Sequence, residues 1–287
     1  MKTKPTHENA RTPDIMRGVT PAAIQPYDII GDIHGYADEL DMLLAKLGYQ
    51  KNKATHFHPE GRKVVFLGDY IDRGSKIRAV LETVRAMVDT ANALAILGNH
   101  EVNALWFHTH GPKGKPLRAH TANRIKQHQA TLDQLGAEFR DWMPWLAKLP
   151  LTLDLGGFRA VHAAWHEAAV AELRDAGPLV GDTLVRYGTA LNAREAIFPD
   201  DPLIDAHPLE KLPDTQFDPD APITFFGHYA VKEPIPKPVA TRLACLDYGI
   251  GKGGFLAAYQ WDGETELDPE KFVSVKQNPV HRATPEK

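Results

Sequence analysis

Two spacings of apolar residues alternate along the chain. "YDIIG" (27–31), "KVVFLG" (63–68) and "ALAILG" (93–98) are short apolar runs rich in β-branched residues, each stopped by glycine. Such runs suit strands buried on both faces. Between them, Leu40, Leu43, Leu44 and Leu47 recur at helical spacing, as do Ile77, Val80, Leu81, Val84, Met87 and Val88. Strand, helix, strand, helix, strand predicts a layered α/β sheet. Residues 100–149 read as mostly helical, with a break at "THGPKGKP" (109–116), and residues 149–165 read as a hairpin turning at Gly156–Gly157. Helical pieces follow from residue 166, then a Pro- and Asp-rich loop over 198–222. Strands resume at 223–228, 241–248 and 254–261. There is no internal repeat and no domain-separating linker, so one domain over 27–265 is expected. A flexible lead (1–26) and a polar tail (266–287) flank it.

Composition excludes more than it selects. The chain has 287 residues, 43% hydrophobic and 24% charged, with a net charge of −4. That balance offers no general basic surface for nucleic acid or an anionic membrane. No apolar run approaches the roughly 20 residues of a membrane span. Residues 1–26 lack the apolar centre of a secretory signal. The single Cys245 rules out an internal disulfide and a cysteine-based metal site. A cytoplasmic location is the expectation that follows.

The chemistry sits where strands stop. The first strand ends in Asp32 and His34, the second in "GDYIDRG" (68–74) and the third in "GNHE" (98–101). The return strand of the hairpin ends at His162, and the next at His228. In open α/β sheets ligands bind beyond the carboxyl ends of strands. A lone Gly-Asp there is usually a turn, and a lone Asn-His a helix cap. Five strand ends delivering Asp32, His34, Asp69, Asn99, His162 and His228 to one rim form a donor set of oxygen and imidazole nitrogen. That set suits Mn, Fe, Zn or Ni and differs from an all-oxygen calcium site. His108, His110, His120 and His128 are assigned to the surface of the helical region, since nothing places them at a strand end.

The ordered set "GDIHG", "GDYIDRG", "GNHE", a later His in "VHAAW" and a final "GH" resembles the calcineurin-like metallophosphoesterases. The resemblance covers roughly residues 27–262. It points to the branch holding serine/threonine protein phosphatases and symmetrical dinucleoside tetraphosphate hydrolases. "CLDYGIGKGGFLAAYQWDGE" (245–264) resembles that branch's closing hairpin, while residues 166–222 align with nothing in it. The resemblance implies a four-layer α/β/β/α sandwich of two mixed sheets flanked by helices. It also implies two divalent metals per chain, manganese first, with iron, zinc or nickel as alternatives. Asp32 and His34 would hold the first, Asp69 would bridge, and Asn99, His162 and His228 would hold the second. A bridging hydroxide would then attack phosphorus in line. Two divalent ions against Asp32, Asp69 and hydroxide leave about one positive charge, which the neutral Asn99 preserves.

By the same resemblance, Arg73 and Asn99 bind the phosphate, His100 is the general acid and Asp72 orients it. Arg186, with Arg194 behind it, is the candidate second phosphate-binding arginine. The expected activity is hydrolysis of phosphomonoesters, on phosphoprotein or small phosphorylated metabolites. The alternative is a symmetrical dinucleoside polyphosphate hydrolase. A non-catalytic scaffold is disfavoured by the intact ligand set and His100. Asp72 in "DRG" favours the phosphomonoesterase.

Overall fold

The computed structural model describes residues 24–176, 179, 183–184 and 220–281. Strand β1 (Tyr27–Ile30) leads into helix α1 (Ala37–Lys46), and a small ribbon of β2 (Gln50–Lys51) and β3 (His56–Phe57) precedes β4 (Lys63–Phe66). Helix α2 (Ile77–Asp89) and strand β5 (Ala93–Ala95) complete the alternating half. Three helices follow: α3 (Asn99–His108), α4 (Ala122–Leu135) and α5 (Phe139–Leu146). The predicted hairpin is β6 (Thr152–Asp154) and β7 (Phe158–Val161), with Gly156 in the left-handed region at φ 79°. Then come α6 (Glu167–Ala176), β8 (Ile223–Phe226), β9 (Leu243–Cys245), β10 (Asp247–Tyr248), β11 (Phe255–Trp261) and β12 (Phe272–Lys276).

The strands form two mixed sheets and the separate β2–β3 ribbon. One sheet runs β10-β11-β1-β4-β5, with β12 on the other edge of β11; the second runs β6-β7-β8-β9. Alternation along each strand sorts side chains between two clusters. Ile29, Val65 and Leu67 meet Phe158, Ala160, Phe225 and Ala244 between the sheets. Ile30, Val64 and Phe66 turn outward to the cluster that holds the apolar faces of α1 and α2. Val161, Phe226 and Cys245 likewise turn outward. Both faces are therefore covered, which is why the strands read as continuous apolar runs rather than alternating ones. The architecture is the α/β sandwich of two mixed sheets that was expected.

Two expectations need correction. The stretch 241–248 is not one strand: β9 belongs to the second sheet and β10 to the first, with Leu246 at the crossing between them. Residues from 266 onward are not simply a tail, since β12 pairs antiparallel with β11 from Phe272 opposite Tyr259 to Lys276 opposite Phe255. Only Val275 of its five residues, FVSVK, is buried, so this short strand carried little hydropathy signal.

Register places the site. β1, β4 and β5 are parallel, with Ile30 opposite Phe66 and Phe66 opposite Ala95. Their carboxyl ends therefore stop together, and Asp32, Asp69 and Asn99 follow within four residues. In the other sheet Ala160 pairs with Phe225 and Phe226 with Cys245. His162 and His228 leave that sheet at the matching edge.

Candidate metal centre and active site

The loops after these strands take unusual backbone conformations. His34, Asp69, Asp72, Arg73 and His228 all have positive φ, between 48° and 71°. Only two other non-glycine residues do so among those described, Ala91 and Ala230. Left-handed non-glycine residues concentrate where the surroundings hold strain at a functional site. Glycine supplies the space beside them. A Cβ on Gly98 would stand 2.1 Å from Asp69 Oδ1, and one on Gly227 2.0 Å from Asp32 Oδ1.

The six expected ligands come together. His162 Nε2 lies 3.3 Å from Asp69 Oδ1 and 3.0 Å from Asn99 Oδ1. His228 Nδ1 lies 3.0 Å from the same Asn99 oxygen. The His228 backbone N–H reaches the Asp32 carboxylate at 3.2 Å. His34 Nε2 is 3.5 Å from Asp69 Oδ2. Two groups offer ligand atoms within 4.8 Å of one another: Asp32, Asp69 and His162, and His34, Asp69 and His100. Asp69 is common to both. The closest groups thus pair Asp32 with His162 and His34 with His100, rather than Asp32 with His34.

The donor set fits divalent cations. His34 Nδ1 donates to the Ile71 carbonyl at 2.9 Å and His162 Nδ1 to the Leu67 carbonyl at 2.7 Å. A carbonyl only accepts, so the proton is pinned on Nδ1 and Nε2 faces the carboxylates, as in metal-ligating histidines. Electrostatics agree. Burial and Asp247 push the Asp32 carboxyl well above its usual range. Burial opposes the charge on His162, but Asp69 and Asp32 outweigh it and lift the imidazole to about 10. Burial and Arg73 hold His34 well below its normal value, and burial with His162 pushes His228 down to about 3. This is a buried cluster of lone-pair donors that gathers positive charge where it can.

The catalytic candidates lie beside it. His100 Nδ1 contacts Asp72 Oδ2 at 2.5 Å, and its Nε2 is 3.9 Å from Asp69 Oδ2. Burial works against the His100 cation, but Asp69 and Asp72 together raise its pKa. Arg73 makes no ion pair among the described residues, and its Nε is buried without a partner. Its side chain lies against Gly251, where a Cβ would stand 2.5 Å from Arg73 Cδ. Arg186 and Arg194 lie outside the described residues.

Other residues at the site were not among the expected ones, although Glu101 closes the "GNHE" strand end itself. Glu101, fully buried, accepts backbone N–H groups from Gly98, Asp69, Tyr70 and Ile71 at 2.8–3.2 Å, tying the second loop to the third. Asp247 accepts from Ala230 N and Gly249 N and so braces the loop after His228. The surface assignment of His128 is wrong: it is 3% exposed and its Nδ1 lies 2.8 Å from Asp72 Oδ1. His108 is half-buried with its Nε2 3.2 Å from His128 Nε2. His110 and His120 are exposed as read. A polar stripe at His128, Thr131 and Gln134 on α4 was the signal available. Gln134 binds both Ile77 N and Gly74 O, 2.8 Å each.

Comparison with known proteins gives the class. A calcineurin-like phosphoesterase model matches residues 26–232, and the chain belongs to that family. Family membership implies divalent metal ions. Among curated relatives, an asymmetrical bis(5'-nucleosyl)-tetraphosphatase PrpE of Bacillus thuringiensis is 27% identical over 271 residues, 88% of this chain and 99% of that protein. Its namesake from Halalkalibacterium halodurans is 42% identical over 87 residues, 30% of this chain and 35% of the relative. The chain spans about a third of the length of the first curated relatives it matches. A structure described as a putative diadenosine tetraphosphatase superposes with a TM-score of 0.54 at 17% identity, covering 89% of this chain and 95% of the other. A cold-active protein tyrosine phosphatase gives 0.58 at 16%, covering 86% and 81%. These two likenesses speak to the fold alone. No helix among the described residues is long and apolar enough to cross a membrane.

Proposed function

We propose that the chain is a dinuclear-metal phosphoesterase acting on phosphomonoesters, of phosphoprotein or of small metabolites. Asp32, His34, Asp69, Asn99, His162 and His228 would hold two divalent ions, manganese first among Mn, Fe, Zn and Ni. When bound, such a pair supplies Lewis acidity and an activated water. Arg73 grips the phosphate with its planar fork, which matches equatorial oxygens bidentately. Asn99 adds a neutral amide that leaves the site's positive charge intact. His100 passes its Nε2 proton to the departing oxygen while Asp72 steadies the imidazolium.

The observation that carries this reading is the 2.5 Å contact from His100 Nδ1 to Asp72. It builds a charged acid, and an acid matters in proportion to how poor the leaving group is. An alkoxide from a monoester needs that proton; a nucleotide phosphate leaves well without it. A second reading, hydrolysis of dinucleoside tetraphosphates, is favoured by the relatives of that name. There the symmetrical cleavage first considered gives way to the asymmetrical cleavage those names describe.

The test measures kcat/KM on an alkyl phosphate, 4-nitrophenyl phosphate and a dinucleoside tetraphosphate, after showing that the rates are insensitive to viscosity. His100→Asn should slow the alkyl ester more than the aryl one by a factor on the order of 10²–10⁴. Metal content should stay near two per chain. Equal losses on both esters would remove His100 as the acid. A wild-type preference for the dinucleotide by orders of magnitude would select the second reading, and unequal rather than equal nucleotide products would show asymmetrical cleavage.

A further inference from the structure

Asp72 is held from both of its oxygens. Oδ2 takes the His100 ring at 2.5 Å, whereas Oδ1 takes His128 Nδ1 at 2.8 Å and the Thr131 hydroxyl at 2.5 Å. The Asp72 backbone N–H donates to the same Thr131 oxygen at 3.1 Å, closing a small ring. All four residues are buried, Thr131 completely. A carboxylate accepts only, so His128 carries its proton on Nδ1 and donates it. Burial alone would raise the Asp72 carboxyl; the hydrogen bonds from His100 and His128 overturn that and hold it well below its usual range. His128 and Thr131 sit three residues apart on α4, on one face. Asp72 has φ 66°, an uncommon conformation that needs outside support.

We propose that His128 is a positioning residue: by occupying the far oxygen of Asp72 it fixes the carboxylate plane and so aims His100 at the leaving group. This rests on the phosphomonoesterase reading and extends its acid to a second imidazole from a different helix. Thr131 serves the same end from the same side. With Oδ1 spoken for, Oδ2 is left to His100 alone, and the plane of one carboxylate sets the tilt of one ring. Without His128 only Thr131 restrains the far oxygen, so the carboxylate turns more freely about its Cβ–Cγ bond and the His100 Nε2–H loses part of its fixed direction.

The experiment uses full-length, metal-loaded protein and compares an alkyl phosphate with 4-nitrophenyl phosphate. His128→Phe keeps the ring volume beside Phe107 and Phe139, whose centroids lie 5.3 and 5.6 Å away, and removes both nitrogens. It should cost kcat/KM about 10-fold more on the alkyl ester, by analogy with the lower end of the loss seen when hydrogen-bond partners of metal-ligating histidines are removed. His128→Asn, whose amide can stand where Nδ1 stands, should recover most of that difference. In a His100→Asn background His128→Phe should add no further preference between the two esters, because the two residues act through one proton. Equal losses on both esters in His128→Phe, with His100→Asn selective, would overturn the inference and leave the acid assignment standing. If His100→Asn shows no selectivity, both fall. Should His128→Phe not fold, Thr131→Val is judged by the same comparison: selective loss upholds the inference and equal loss refutes it.

Discussion

Alanine at position 98 sets two effects of opposite sign against each other. Gly98 has φ −89° and ψ 174°, an ordinary extended conformation open to any residue. Restricting the unfolded chain would therefore stabilise Gly98→Ala by about 0.4–1 kcal/mol. The added methyl meets Asp69, however, at 2.1 Å from Oδ1, 2.4 Å from the backbone N and 2.9 Å from Cγ. Those separations are about 1 Å or more short of ordinary van der Waals contact. Neither partner can step aside cheaply. Asp69 N is bound to Glu101 at 2.8 Å and its φ is 53°. The Asp69 carboxylate accepts the His100 N–H at 3.0 Å. Overpacking against fixed backbone costs about 1–3 kcal/mol, so the steric loss wins and the protein should lose about 1–2 kcal/mol net. Function should suffer more, because the shared carboxylate is displaced by about the 1 Å that costs on the order of 10²-fold in rate. Urea unfolding gives the stability, elemental analysis the metal content, and kcat/KM the activity. Gly98→Ala as stable as wild type, with full metal content and rate, would refute the argument from close approach.

Two further outcomes are expected. Asp69→Asn should lower metal content at both sites together, measured by elemental analysis, because Asp69 is common to both donor groups; retention of two ions and full activity would break the ligand assignment. Arg73→Lys should lose most of the kcat/KM that Arg73→Ala loses, since a point charge cannot replace a bidentate fork, and near wild-type activity in the lysine variant would mean that charge alone suffices.

The primary structure was most informative where local chemistry is forced. An apolar run closed by glycine, then a carboxylate, amide or imidazole, marks a strand end that must turn sharply beside something that binds; four such ends and the glycine-free end at His162 gave Asp32, His34, Asp69, Asn99, His162 and His228 as the expected ligands. Continuous apolar runs also declared strands covered on both faces. What hydropathy could not convey was which sheet a strand joins. The stretch 241–248 has one pattern, yet β9 and β10 part at Leu246 because β9 pairs with β8 in one sheet while β10 pairs with β11 in the other. β12 likewise exists through its pairing with β11, not through its own modest apolarity. The same limit hid the support around the proposed acid, His100. Glu101, His128 and Thr131 look like ordinary helix residues, and only the packing of α3 and α4 against the loop after β4 turns their polar groups inward. The expected ligands stand out because the turn that presents them needs special residues; the residues that brace those loops are decided by tertiary contact, where any helix face that meets the loop can supply a donor or an acceptor.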